Sequence, residues 1–173
     1  KHVGCSFTEA EYMAPVFDML HRVAGGEKKW RARPFVSNSN CFVVPPLRFA
    51  TESCLVMEEA VRNGMPVLLL SAGQAGATAP ASIAGAVAQA LSEVIAGLIY
   101  VNAMQPGHPC ICGTWPFVSD LRTGAMSGGS GEQGLLTAIS QLMKKGSDSA
   151  RIKLMLGSEL WEIFGQVCDR ALQ

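Results

Sequence analysis

The sequence predicts an α/β fold built on a parallel sheet, because predicted strands and helices alternate along it. One helix comes first and three strand–helix pairs follow. The run Met65–Ser71 (MPVLLLS) is almost continuously apolar, which is typical of a strand covered on both faces. Parallel strands need a long connection, and a helix supplies it. The alternation therefore favours a sheet with crossover helices.

The first predicted element is a helix that ends at Gly25 and Gly26. Thr8 and Glu11 have the spacing of a capping box at its beginning. The apolar residues that recur at helical spacing are Tyr12, Val16, Met19, Leu20 and Val23.

The first predicted strand lies over Pro34–Val44, after a charged turn at Glu27–Arg33. Its middle is polar, and Pro45 and Pro46 end it because proline cannot donate a hydrogen bond to a neighbouring strand.

The second strand–helix unit gives the clearest strand, Met65–Ser71. Before it, Thr51–Asn63 has helical spacing, and Gly64 stands where a left-handed terminator is expected. After it, a small-residue loop at Gly73–Pro80 precedes a long predicted helix at Ala81–Met104.

The third unit contains the longest loop. A short strand at Pro109–Cys112 is followed by the loop Thr114–Gly131 and by a helix at Glu132–Lys145. Residues 146–149 are predicted to be a linker, and an amphipathic helix without a preceding strand is predicted after Ser158.

The composition argues for one domain without a polyanionic partner. A chain of 173 residues is long enough to bury a core, and its 14 basic and 14 acidic residues cancel. Nucleic acid is therefore not an expected partner. Charged residues make up 16% against 49% hydrophobic, which suggests that part of the surface is covered, for example in a homo-oligomer.

Cysteine usage and the chain start predict a cytoplasmic protein. The six cysteines lie mostly within apolar patterns and are expected to be reduced. The polar start lacks signal-peptide features, and a first residue of Lys1 suggests a fragment or processed product. The apolar window 75–104 contains polar residues and is interpreted as a small-residue-rich helix, so no membrane span is expected.

Three strings carry a resemblance to a known family: SAGQAGATAPAS, VNAMQPGHP and GTWPFVSDLRTGAMSGGSGEQ. They resemble the trimethylamine–corrinoid protein methyltransferase family, which includes glycine betaine methyltransferases. KHVGCSFTEAE and RNGMPV extend the match, so that it covers about residues 1–143.

The resemblance implies a (β/α)8 barrel, of which three strand–helix units can form only a part. Residues 1–145 would be a partial TIM-barrel domain, and residues 146–173 would lie outside the match. The implied reaction moves a methyl group from a small methylated amine to the Co(I) corrinoid of a partner protein. No cofactor would be tightly bound to this chain.

The loops after the strands would lie at the catalytic face of such a barrel, which directs attention to Gln74 and Thr78. They are the polar side chains of a loop otherwise made of small residues. They are predicted to bind substrate, and the equally weighted alternative is that they hydrogen-bond the loop backbone.

The third loop supplies four further candidate substrate-binding residues. Trp115 and Phe117 could bound a pocket for a methylated ammonium ion, because aromatic faces attract cations, although Phe117 is more typical of a ring that closes the barrel top. Asp120 and Arg122 are expected to pair with each other. Arg122 binding a substrate carboxylate is the alternative.

The glycine-rich end of this loop contains Gly128, Gly129, Gly131 and Glu132. It lacks the lysine of a P-loop and the acidic spacing of a dinucleotide site, so it is a weak phosphate signal. The glycines are predicted to let a corrinoid ring or partner backbone approach.

The pattern His108-x-Cys110-x-Cys112 places three metal-ligand types on one face of a strand. A zinc-thiol methyltransferase is therefore an alternative. Its position at the strand's beginning, away from the catalytic end, favours core cysteines and no metal site.

The predicted function is thus corrinoid-dependent methyl transfer, with substrate bound by Gln74, Thr78, Trp115, Phe117 and the Asp120–Arg122 loop. A non-catalytic barrel fragment that oligomerises or binds without turnover is the alternative from another class.

Overall fold

The computed structural model describes residues 1–145, so the predicted linker and C-terminal helix lie outside the described residues. The strands are β1 Val3–Cys5, β2 Val36–Asn38, β3 Val43–Val44, β4 Arg48–Phe49, β5 Val67–Ser71, β6 Gln74–Ala75, β7 Cys110–Thr114, β8 Phe117–Ser119 and β9 Met126–Ser127. The helices are α1 Met13–Ala24, α2 Glu27–Ala32, α3 Thr51–Arg62, α4 Ile83–Met104 and α5 Gly131–Lys145. The chain forms two compact units, one of residues 1–71 and 93–113 and the other of residues 72–92 with the segment from 114 onward.

The first unit contains a four-stranded sheet in the order β1-β2-β5-β7. The pairs β1–β2 and β2–β5 are parallel. The Val67 amide donates to the Pro109 carbonyl at the start of β5 and β7. A Cβ on Gly113 would lie 2.9 Å from Leu70 near the end of both strands, so this pair also runs in parallel. The predicted parallel sheet is confirmed.

The sheet has four strands where the sequence predicted three. β1 was missed because it is only three residues long and every one of them is exposed, so it has no pattern of burial. The helix predicted before the first strand, α1, therefore follows a strand. The described part of the chain contains four strand–helix units.

Local structure corrects three further predictions near the amino terminus. Thr8 does not cap α1, which follows a 3₁₀ turn at Ala10–Tyr12. The charged turn is the helix α2, because Trp30 is buried and its indole N–H donates to the Asn63 carbonyl at 2.9 Å. The single strand predicted over 34–44 is divided into β2 and β3.

The helices of this unit bury one face of the sheet. α3 ends as predicted, with Gly64 in the left-handed region at φ 71°. Val67 and Leu69 of β5 point into the core, whereas Leu68 and Leu70 are half-buried on the other face. The buried hydrophobic residues of this core are Met13, Phe17, Trp30, Val36, Phe42, Val43, Val56, Met57, Ala60, Val61, Met65, Val67, Leu69, Val94 and Val101.

The second unit contains β6, β8 and β9, in segments that the sequence predicts to be loops. β6 pairs with β8 in parallel and β8 pairs with β9 antiparallel. These strands are two or three residues long, too short for an alternating pattern to show. A small core joins them to α4 and α5 through Ala75, Ala86, Val87 and Leu136.

Helix α4 is the one helix in the described part of the chain that is long and apolar enough to cross a membrane. One such helix is weak evidence for a span, since the core helix of a soluble domain has the same length and composition. α4 carries Glu93, which is buried and accepts hydrogen bonds from the protein. These contacts are those of a core helix.

Candidate active site

The loop after β5 is a tight turn centred on Gln74. The amides of Ala77, Thr78 and Ala79 all donate to the Gln74 carbonyl, at 2.9–3.0 Å. The Thr78 hydroxyl oxygen accepts the Gln74 amide at 2.9 Å. The side chain of Gln89 donates to the Thr78 carbonyl at 2.8 Å. Thr78 therefore closes the turn, which is the structural role weighed for it, and retains its own O–H as a donor.

Gln74 lies beside the aromatic residues of the third loop. It is the register partner of Phe117, so the two side chains leave the same face of the β6–β8 pair. Ala75 and Val118, next along each strand, pack into the core on the opposite face. The half-buried Gln74 side chain is thus held next to the Phe117 ring.

Trp115 and Phe117 form an aromatic pair. Their ring centroids are 5.2 Å apart and the planes are tilted by 40°. Trp115 is 56% exposed, whereas Phe117 is half-buried. We call Gln74, Trp115 and Phe117 the aromatic platform. Two aromatic rings and one side-chain amide therefore lie together beside the β6–β8 pair.

Asp120 and Arg122 shape the turn between β8 and β9. The Arg122 backbone amide donates to Asp120 Oδ1 at 2.9 Å. The Arg122 side-chain Nε lies 3.7 Å from the same oxygen. The backbone amide of Arg122, with Thr123 next in importance, lowers the pKa of the Asp120 carboxyl. The Arg122 side chain is 92% exposed. The predicted pairing is present, and its closest contact is with the backbone of Arg122.

The glycine run forms the start of α5. Ser130 Oγ accepts the Gln133 amide at 3.1 Å, and Gln133 Oε1 accepts the Gly129 amide at 2.6 Å. This reciprocal arrangement resembles a capping box, a signal that the sequence S-x-x-Q contained. A Cβ added at Gly128, Gly129 or Gly131 would have no atom within 4 Å. The surface at these glycines is open. Glu132 is exposed in the first turn of the helix, where its charge is favourable.

Two hydroxyl groups in this unit are buried, although the sequence does not predict it. Thr114 and Ser119 are each 8% exposed, and neither Oγ atom has a hydrogen-bond partner in the described structure. Ser119 and Leu121 both lie near Gly76, since a Cβ added there would be 3.8 Å from Ser119 Cβ and 2.5 Å from Leu121 Cδ2. A serine or threonine at the end of a strand gives no sequence signal for such burial.

The His-x-Cys-x-Cys pattern lies at the amino end of β7, as expected. His108 Nε2 donates to the Met65 carbonyl at 2.9 Å, and burial lowers the pKa of this imidazole. Burial also raises the pKa of the Cys110 thiol to about 11, which opposes the thiolate form that binds metals. Within residues 1–145, no three His, Cys, Asp or Glu side chains are grouped so as to hold a metal ion.

Residues 1–147 match the family model described as trimethylamine methyltransferase (MTTB). The chain belongs to the trimethylamine methyltransferase family. This confirms the resemblance drawn from the sequence, and the matched range includes the aromatic platform, the Asp120–Arg122 turn and the open glycines.

Relatives in the trimethylamine methyltransferase family align over most of the chain. A trimethylamine methyltransferase MttB of Desulfitobacterium hafniense is 31% identical over 138 residues, which cover 80% of this chain and 28% of the relative. A trimethylamine methyltransferase MttB1 of Methanosarcina mazei is 32% identical over 137 residues, covering 79% and 27%. A glycine betaine methyltransferase of Desulfitobacterium hafniense is 34% identical over 100 residues, covering 57% and 21%. The matched part of the chain spans between about a fifth and little more than a quarter of the length of these relatives.

Proposed function

We propose that the complete protein containing this chain demethylates a methylated amine and passes the methyl group to a corrinoid held by a partner protein. The observation that carries the proposal is the aromatic platform, which lies within the part of the chain that matches the methyltransferase family. Relatives named for trimethylamine and for glycine betaine both support an amine as the substrate.

The aromatic platform suits a methylated ammonium group. Such a cation has no N–H or only one, so it is bound by π faces more readily than by hydrogen-bond acceptors. Contact with an aromatic face contributes about 0.5–2 kcal/mol, depending on how far the ion is desolvated. The Gln74 amide adds a polar contact that orients the ligand without a charge of its own.

The turn between β8 and β9 supports a substrate that also carries a carboxylate. Asp120 is engaged chiefly by backbone and hydroxyl donors, which leaves most of the Arg122 guanidinium N–H groups to solvent. A guanidinium forms two parallel hydrogen bonds with a carboxylate. Glycine betaine has such a group and trimethylamine does not, so Arg122 would discriminate between them.

The chain's contribution to the reaction is binding and orientation. The corrinoid of the partner would supply the reduced cobalt that accepts the methyl group, while the C–N bond breaks and its electron pair stays with the departing amine. Open space at Gly128, Gly129 and Gly131 fits the approach of a large planar ring or of partner backbone. The platform would hold the amine so that one methyl carbon faces that approach.

A partial (β/α)8 barrel is the fold that best explains the parallel sheet. The strands lie side by side in chain order, as in the arc of a barrel, whereas a doubly wound sheet reverses its order. Leu68, Leu70 and Ile111 form an apolar second face that is only partly covered. Further strands would cover it.

The test uses the protein from the complete reading frame, a partner corrinoid protein reduced to Co(I), and a panel of methylated amines. Loss of amine and appearance of the demethylated product are followed by mass spectrometry. We expect turnover of at least one quaternary or tertiary amine. No product from any member of the panel refutes the proposal.

A further inference from the structure

A cavity of about 770 Å³ lies at the amino ends of strands β1 and β2. It is lined by the residues that lead into these strands, 1–2 and 34–35, and by residues at the ends of helices α1 and α2. We call it the basal cavity. All of its lining residues belong to the first compact unit, and none of them is a candidate substrate-binding residue. Parallel α/β folds carry their catalytic loops at the carboxyl ends of the strands, so this cavity lies at the other edge of the sheet.

The polar side chains of the basal cavity are basic. They are Lys1, His2, Lys29 and Arg33, and none of the described residues that line the cavity is acidic. Within residues 1–145, Lys29 and Arg33 form no ion pair, whereas Arg31 of the same helix is paired with Glu27 at 2.8 Å. The positive charge at the cavity is therefore not balanced by a carboxylate in this part of the chain.

Two helix ends beside the basal cavity offset only part of this charge. A Cβ on Gly25 would lie 3.2 Å from Lys29 Nζ, so the ammonium group is close to the carboxyl end of α1. Arg33 is the C-cap residue of α2. Each helix end contributes at most about half a negative charge, which is less than the full charge of the side chain beside it. Lys29 and Arg33 thus stabilise the helix ends and still leave a surplus of positive charge.

Phe35 gives the basal cavity an apolar wall that is held in place. Its ring packs edge-on against Trp30, with centroids 5.4 Å apart and planes at 88°. Trp30 is buried, and its indole N–H donates to the Asn63 carbonyl. Val23 also lines the cavity and is 75% exposed. An apolar group bound here would remove both side chains from water, which is favourable.

The size and the lining together define a class of ligand. The volume lies in the range of small-molecule sites, about 300–1,000 Å³, and inorganic phosphate would fill only a small part of it. The basic side chains repel a methylated ammonium ion. A ligand that fits therefore has a negative head and an apolar body.

We propose that the basal cavity binds a small organic anion, with a phosphate or carboxylate head at Arg33 and Lys29 and an apolar body against Phe35. A guanidinium group forms two parallel hydrogen bonds with either head. The proposal goes beyond the proposed function and does not depend on it, since the methylated amine is assigned to other residues.

The test is isothermal titration calorimetry of the protein from the complete reading frame. Phenyl phosphate and benzoate are the two probes, and they distinguish the two kinds of head. Inorganic phosphate has a head without a body, and benzyl alcohol has a body without a charge. We expect at least one of the two aromatic anions to bind with a Kd of about 1 mM or lower, and both control compounds to bind several-fold more weakly.

Arg33→Gln and Lys29→Gln should each raise the Kd of the bound anion about tenfold, the effect of losing one charge-assisted hydrogen bond. Lys28→Gln is the matched control, because Lys28 is an exposed lysine of the same helix and lies outside the lining. It should leave the Kd unchanged. All three side chains are exposed, so urea unfolding should show stabilities close to that of the wild type.

Three results would overturn the proposal. The first is no binding of phenyl phosphate or benzoate. The second is an equal rise in Kd in Lys28→Gln, which would indicate general attraction to the surface, or no rise in Arg33→Gln and Lys29→Gln, which would place the anion elsewhere. The third is binding of inorganic phosphate as tight as that of the aromatic anions, which would remove the role of Phe35. Methyl transfer is not measured in this experiment, so its outcome leaves the proposed function to its own test.

Discussion

Replacing Gly97 by alanine is expected to destabilise the protein, although alanine is the better helix former. Gly97 lies in α4, one turn after Glu93, so both residues face the same side of the helix. A Cβ there would meet Phe42 Cζ at 2.5 Å, Phe42 Cε2 at 2.8 Å and Leu69 Cδ2 at 3.2 Å. Phe42 and Leu69 are fully buried, so neither side chain can move into solvent.

The magnitude follows from two opposing terms. Overpacking a buried site by a methyl group costs about 1–3 kcal/mol. Exchanging glycine for alanine in a helix interior recovers up to about 1 kcal/mol. The net loss in the free energy of unfolding is therefore about 1 kcal/mol, which lowers Tm by about 2–4 °C in a protein of this size.

Urea unfolding measures the change, and Gly134→Ala is its matched control. Gly134 is also within a helix, α5, but a Cβ there meets nothing within 4 Å. It should gain up to about 1 kcal/mol from helix propensity alone. Combining Gly97→Ala with Phe42→Leu should cost less than the sum of the single changes, because leucine lacks the two ring atoms nearest the new methyl group. Equal or higher stability of Gly97→Ala would refute the close packing.

Three further predictions test the platform and two titrating groups. Trp115→Ala should lower kcat/KM for a quaternary amine by about 2- to 30-fold, the equivalent of one cation–π contact, while Leu135→Ala, which removes another exposed hydrophobic side chain, leaves it unchanged. Burial lowers the pKa of His108 below 6.5 in the folded protein. The neutral imidazole therefore contributes stability above pH 6.5, and this contribution is lost as the pH falls through the pKa of the folded state. Chemical unfolding at several pH values should show this loss, and His108→Gln should make the free energy of unfolding less dependent on pH. The hydrogen bond to Glu58, with burial second, raises the pKa of Tyr100 to about 12, so ultraviolet titration should show one tyrosine ionising near this value, and Tyr100→Phe should remove that step.

The sequence was sufficient for the long, regular elements. Helices α3, α4 and α5 and strand β5 lie within two residues of their predicted ends, because each has enough residues to show a periodic or continuous apolar pattern. The elements that were missed are short, such as β1 and β8, or charged, such as α2. Their stability comes from contacts distant in sequence, as when Trp30 of α2 binds the Asn63 carbonyl.

For the candidate site too, the sequence predicts some features and only the structure shows the others. The residues of the platform could be named from the sequence, because aromatic side chains in a long loop suggest ligand binding. Their arrangement could not, since Gln74 and Phe117 become neighbours only through the β6–β8 pairing. For Thr78 the sequence left substrate binding and hydrogen bonding within the loop equally open, and only the structure shows that its hydroxyl oxygen accepts the Gln74 amide.

By itself, the sequence determined the family, the parallel α/β class and the loops that carry the candidate site. Only the tertiary structure decided that Glu93 is buried beneath a hairpin, with its two oxygens bonded to Leu47 and Ser71. The residues around Glu93 in its apolar helix do not predict its hydrogen-bond partners, because Leu47 and Ser71 are 46 and 22 residues away in the sequence. Burial and hydrogen bonding at such separations are properties of the folded chain.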